Sequence, residues 1–581
     1  MKEKILFVTA AFAVALLFAF RHIKPGKENN KIATVFKYNK KNIIRCSPDW
    51  NELKTWIEEV DIPPIPGAGS YKWKISTKND SAQFYFNQGI NMYYSFHIIE
   101  AMASFKKAER FDPQCGMLYW GQALAYGPNI NDLGYAASPD ALLAAGMAGK
   151  NLNHCTEKEI KLIDVQRVRY SADSNESREK LNQDYVDEMK RVYEQFPNDA
   201  DVAALYADAL MLQHPWDLWS IDGTPKPWTP RIREVLEKLL TKTPNHPGAN
   251  HYYIHVMEPS PFAYKALPSA DRLGKLTPGL SHTVHMPSHI YLRTGNYAKG
   301  VSVNEAAVNS YKRTIPLYAP VTGADFLYVI HNLHMQTNNA MLVGNYKLSE
   351  ASALETRKSI PADYLSIPPP MGSVVQYIYM TPVLVNIRFG KWDKLLQEAK
   401  PDASQVYANI LYHFGRGMAF ANQSKIMEAH DELGQIIELM KDSTLKIPFT
   451  PFSAAIDGAV VAGNILDGTI SMKHKEGYEY IIRDFEKAVE IEENMVYNEP
   501  RDWLLNPKHY LGNAYLKNGQ WRDAEATFQK DLKNNSENGW ALFGLYQALM
   551  GQKRKTEANK VLARFKKSFD KADMKLTGAV F

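Results

Sequence analysis

The chain has 581 residues, 45% apolar and 23% charged, a balance that excludes a disordered polymer. Its 68 basic and 63 acidic residues leave a net charge of +5, too dilute for the clustered basic face of a nucleic-acid binder. Three cysteines without CxxC spacing exclude a disulfide framework and a cysteine-based zinc or redox motif.

Residues 5–20 read ILFVTAAFAVALLFAF, with Lys2 and Lys4 before the run and Arg21, His22 and Lys24 after it. As a helix this run spans about 24 Å, a little short of a hydrocarbon core of about 30 Å. The end of the run lacks the small-x-small pattern that signal cleavage needs, so residues 1–24 are expected to be a membrane anchor, with a removed signal segment as the alternative. Basic residues on both sides blur the orientation. Residues 25–80 are basic and broken by proline and glycine, as in IPPIPGAGS at 62–70, and read as a linker or N-terminal extension.

From residue 81 the pattern is helical, with Gly/Pro breaks every 12 to 20 residues and no sustained period-2 stretch. Counting Ala82 as position 1 puts Gly89 at 8, Ala101 at 20, Phe105 at 24, Ala108 at 27 and Pro113 at 32. This resembles a tetratricopeptide (TPR) repeat, in which small residues let two helices touch and the proline stops the second. Pro197, Pro244, Pro278 and Pro361 fall where further terminal prolines belong, and set repeat starts near Ala200, Pro247, Ser281 and Ile330. Near the C-terminus Ala524 and Ala558 are 34 residues apart, as are Phe528 and Leu562. Longer loops are expected near 213–230, 313–329, 361–375 and 441–453. The predicted fold is all-α: a TPR-like helical-hairpin solenoid, a right-handed superhelix, with an array over 81–440 and C-terminal repeats over 441–581. Segments such as HPGANHYYIHVMEPS, SHTVHMPSHIYLRTGNYA and YNEPRDW also resemble a family of bacterial TPR proteins over most of residues 81–565. That resemblance implies the fold; with the anchor at 1–24, the expected location is the bacterial cell envelope, the body in the periplasm.

Eight of the 16 histidines lie between His246 and His334. The TPR resemblance implies that positions 2, 5, 9 and 12 of each first helix line a concave groove. In the proline-set phase, His251, His255 and Glu258 take 5, 9 and 12 of one repeat, and His282, His285 and His289 take 2, 5 and 9 of the next. His331 and His334 take 2 and 5 of the repeat after that, and Asp208 takes 9 of the repeat before. Residues four apart share one helix face, and neighbouring helices pack about 8–10 Å apart. His251, His255, His285 and His289 are therefore candidate ligands converging on one divalent metal, zinc first. Glu258 or Asp208 would add an oxygen ligand, a second hydrogen bond or a general base. Pro287 lies between His285 and His289 and threatens that geometry with a kink. Two other readings stay open: a metal-free polar or anionic ligand, and a hydrogen-bonded histidine lining.

The loop at 213–230 carries Trp216, Asp217 and Trp219, which either stack on a ligand at the groove mouth or pack back onto the solenoid. No HExxH, phosphate-loop or GxSxG motif is present. The sequence thus points to a membrane-tethered scaffold whose groove binds a protein, peptide or polysaccharide, with His282, His331 and His334 among the lining residues and no nucleic acid. A metal-dependent hydrolase and a glycan-binding accessory of polysaccharide uptake are the alternatives.

Overall fold

The structure is a computed structural model, and it describes residues 50–132, 135, 137–173, 175–318, 326–475 and 477–581. The apolar run at 5–20 lies outside these residues. Among the described residues no helix is long and apolar enough to cross a membrane.

Helices follow one another as hairpins, from Asp80–Tyr94 with Ile98–Phe111 to Gly539–Gly551 with Lys555–Ser568. Helix starts are capped by local chemistry. The Asn79 side chain accepts from the amides of Ser81 and Ala82, and that of Asp199 from Asp201 and Val202. The helices beginning at Ala200, Pro247, Ser281 and His331 fall within a residue of the proline-set starts.

One packing device repeats at both ends of the chain. The Phe105 ring lies against Gly89 of its own hairpin and Gly121 of the next, where an added Cβ would come within 2.6 Å of it in each case. The Phe528 ring lies in the same way between Gly512 and Gly544. A glycine at position 8 admits an aromatic ring at position 24, and the ring locks one hairpin to its successor. The chain therefore has the TPR-like solenoid fold.

One expectation is corrected. Residues 50–79 are part of the body and not a linker. They form the helix Trp50–Glu59 and an extended run that buries Ile62, Ile65, Trp73 and Ile75. Among the described residues the buried apolar side chains fall into two large clusters, one up to Tyr328 and one from Ile330.

The solenoid also closes on itself. The Trp540 indole donates to the Met341 carbonyl, the Tyr297 hydroxyl to Ser536, and Asp573 accepts from the amides of Tyr346 and Lys347. At the other end Tyr328 donates to the Phe96 carbonyl, and Gly279 N–H to Gly67. The first helices of the central repeats are thus enclosed by both ends of the chain. In Pro247–Met257 all 11 residues are buried.

Candidate metal centre

That enclosure changes what the histidines are. Expected on an open groove, they lie in the interior: His251 and His285 are 0% exposed, and His255, His282, His289 and His334 at most 4%. The turn joining the first hairpin lies on them. Phe96 stacks against His255 and His282 with ring centroids 5.8 and 5.6 Å away. Phe96 and Trp216, which meets His255 edge-on at 5.6 Å, both have left-handed φ, 55° and 62°. Such strain in a non-glycine residue costs about 1–3 kcal/mol and gathers at functional sites.

The four histidines expected on a single point are divided between two sets. Pro287 breaks the helix into Ser281–His285 and Pro287–Arg293. His282 is brought to the repeat before, and His285 and His289 to the repeat after. In the first set the Nε2 of His251 is 3.0 Å from that of His255 and 3.1 Å from that of His282. In the second the Nε2 of His285 is 2.7 Å from that of His289 and 3.0 Å from that of His331. Each set offers three nitrogens close enough for a shared ion.

The opposite nitrogens fix the protons. A neutral imidazole has one donor nitrogen and one acceptor. The Nδ1 of His251 lies 2.7 Å from the Tyr94 carbonyl, which can only accept. The Nδ1 of His255 lies 3.1 Å from Glu258 Oε1. With Glu258 ionised, both Nδ1 atoms carry their protons and both Nε2 atoms present bare lone pairs to each other. The Nδ1 of His285 likewise donates to Asn304 Oδ1 at 2.5 Å, because the Asn304 amide is itself spent on the Gly300 carbonyl.

Titration does not relieve the first set. Burial, with neighbouring imidazoles, pushes His251, His255 and His282 well below the ordinary histidine value, so no ring there accepts a second proton near neutrality. The second set has an outlet. Burial opposes a charge on His289, but Glu499 and Glu258 beside it raise it to about 10. His331 is pushed down to about 3 by burial and by His289. Glu258 touches both sets, one oxygen at His255 and the other 2.7 Å from His289 Nδ1. Burial raises it, and His289 and Arg293 pull it back.

The remaining candidates lie elsewhere. His334 faces Tyr377 at 6.0 Å and joins neither set. His246 caps its helix through the Ala249 amide. Asp208 accepts from the Tyr93 hydroxyl at 3.1 Å within a network around the buried Arg169; burial raises it to about 6 although Arg169 and Tyr93 lower it. It is therefore not placed as a base for the histidines. Trp219 packs back, its indole donating to the Val256 carbonyl, and Asp217 pairs with Lys226 at 3.0 Å. Trp216 alone of that loop both touches a histidine and lines a cavity of about 380 Å³. Glu499, from the YNEPRDW stretch, was not singled out by the sequence. It sits on His289 Nδ1 from an irregular segment that no helical register places.

No family model matches the sequence, and no curated protein does. Solved structures resemble it as helical repeats. A human IFIT1 dimer with m7Gppp-AAAA is 9% identical, with 84% of this chain and 90% of that one covered and a TM-score of 0.30. The TPR domain of P58(IPK) is 11% identical, covering 83% and 98%, with a TM-score of 0.21. Yeast Tom70 is 12% identical, covering 85% and 91%, with a TM-score of 0.27.

Proposed function

We propose that this chain is a metalloprotein whose solenoid holds two first-row transition ions side by side, one on His251, His255 and His282 and one on His285, His289 and His331. A single observation carries this reading: the Nε2 atoms of His251 and His255 face each other at 3.0 Å among fully buried residues, and with Glu258 ionised neither carries a proton. Two lone pairs at that distance repel, and burial denies them a proton. A cation between them turns the repulsion into two bonds.

The donor set fits zinc or copper, which accept imidazole nitrogen at about 2.0–2.1 Å and bind it more tightly than the earlier metals of the row. The supporting contacts fit as well. Metal-bound imidazoles commonly give their other N–H to a carbonyl or carboxylate, which fixes the tautomer. Here Tyr94, Glu258 and Asn304 take that role for His251, His255 and His285. Three nitrogens per ion leave a coordination position open, the mark of sites that bind or activate a ligand rather than only staple a fold. TPR-like solenoids are a scaffold architecture for protein partners. In this chain the inner face is given over to the histidines, so a partner would use the outer surface.

The test is metal content in the full-length chain prepared without an affinity tag and dialysed against micromolar zinc. At least two equivalents are expected. His251→Ala and His285→Ala should each remove one, and the exposed His430→Ala none. A folded protein that takes up no zinc would refute the reading.

A further inference from the structure

A third group of ligand atoms lies against the second triad. Glu258 Oε2, His289 Nδ1 and a Glu499 carboxylate oxygen lie within 4.8 Å of one another, and all three residues are buried. Glu258 Oε2 is 2.7 Å from His289 Nδ1, and Glu499 Oε2 contacts the same nitrogen. A ring nitrogen has at most one proton and gives it along one line, so it cannot serve two carboxylates at once. The geometry bears this out. Glu258 Oε2, both oxygens of Glu499 and His289 Nδ1 all lack an aligned hydrogen-bond partner in the interior.

A protonated His289 sets one positive charge against two buried carboxylates, so the place still lacks one. Arg293 attracts both carboxylates through space but hydrogen-bonds neither. Its terminal nitrogens donate to the carbonyls of Asn534 and Ser260.

We propose that Glu258, Glu499 and His289 Nδ1 hold a third metal ion, and that His289 bridges it to the second triad, binding one ion through each ring nitrogen. This rests on the reading of the triads as metal sites. One nitrogen and two carboxylates suit zinc or copper(II), and an imidazole without its proton is a ligand at both ends. Glu258, through its other oxygen, still orients His255 of the first triad, so one carboxylate ties all three positions together. A cavity of about 40 Å³, lined by Glu499, Arg293, Tyr497 and Trp503, adjoins the site. It has room for about one water to complete the coordination. It shares Arg293, Tyr497 and Trp503 with the larger cavity that reaches Trp216, which marks a route inward.

The experiment counts metal in the full-length protein and in Glu499→Gln after dialysis against zinc, and repeats the count with copper(II) under electron paramagnetic resonance. Three equivalents in the wild type and two in Glu499→Gln are expected. Copper ions joined by an imidazole couple antiferromagnetically, so two of the three should be silent in the wild type. In Glu499→Gln the copper of the second triad should regain its signal. Two equivalents in the wild type would overturn the third site and leave the triads standing, whether or not Glu499→Gln folds. No metal in the wild type would overturn the triad reading itself.

Discussion

Replacing Gly89 by Ala should be harmful or harmless depending on one other residue. The new Cβ would come within 2.6 Å of the Phe105 ring, which is fully buried between Gly89 and Gly121 and has nowhere to retreat. Overpacking of this kind costs about 1–3 kcal/mol. Phe105→Ala alone should cost about 3–5 kcal/mol, because it empties the space between two hairpins. In the double variant the ring is gone and the methyl enters its cavity. There the helix also gains from exchanging glycine for alanine, by about 0.5–1 kcal/mol. Gly89→Ala should therefore turn from destabilising to neutral or mildly stabilising once Phe105 is absent, a coupling of about 1.5–4 kcal/mol. Urea unfolding of the four proteins, followed by far-UV circular dichroism at matched slopes, measures it. Additive effects within about 0.5 kcal/mol would refute the claim that this glycine exists to admit the ring.

Lys508→Met should cost about 3–5 kcal/mol at pH 7, since Lys508 Nζ lies 2.8 Å from the buried Glu492 and its loss leaves that carboxylate to Arg501 alone. Burial raises Glu492, but Lys508 and Arg501 hold it below the ordinary value, so its contribution is present above that value and lost as pH falls through the lowered one. The gap between wild type and Lys508→Met, measured by denaturation, should narrow in acid. Asp208 has the opposite sign. Its folded value near 6 lies above the ordinary one, so its contribution is complete below about pH 4 and fades as pH rises through 6. Asp208→Asn should flatten that decline relative to wild type, and an unchanged profile would mean that Asp208 is ionised at no cost. Chelation should lower the melting temperature. Removing an ion present at about 100 times its Kd withdraws about 2.7 kcal/mol per site, and a melt unaffected by chelator would count against both triads.

The repeat phase was legible because its signal is local. Gly89, Phe105 and Pro113 lie within one hairpin, and the terminal prolines place Ala200, Pro247, Ser281 and His331 at helix starts. The histidines were legible as a group for the same reason, since positions 5 and 9 of a helix share a face. Their partition was not. It depends on the short helix Ser281–His285, which turns His282 towards His251 and His285, three residues on, towards His331, and tertiary packing decides which neighbour each ring meets. Their burial was hidden too, because the cover comes from Phe96, far away in sequence, and from the closing of the solenoid through Trp540 and Tyr297. Glu499 was out of reach for a stronger reason. It lies on an irregular stretch held by Ser453 and Tyr377 and meeting His289, and no periodicity reports such a position. The tryptophan loop offered two readings, and packing decided between them, with Trp219 buried and Trp216 left against His255.

X-ray absorption at the zinc or copper edge, on the full-length protein loaded to two equivalents, tests the central claim most directly. Two adjacent three-imidazole sites predict a first shell of nitrogen at about 2.0–2.1 Å with the outer-shell pattern of about three imidazoles per ion. A shell of water oxygens, or a count of one imidazole or fewer per ion, would place the metal outside His251, His255, His282, His285, His289 and His331 and contradict the account.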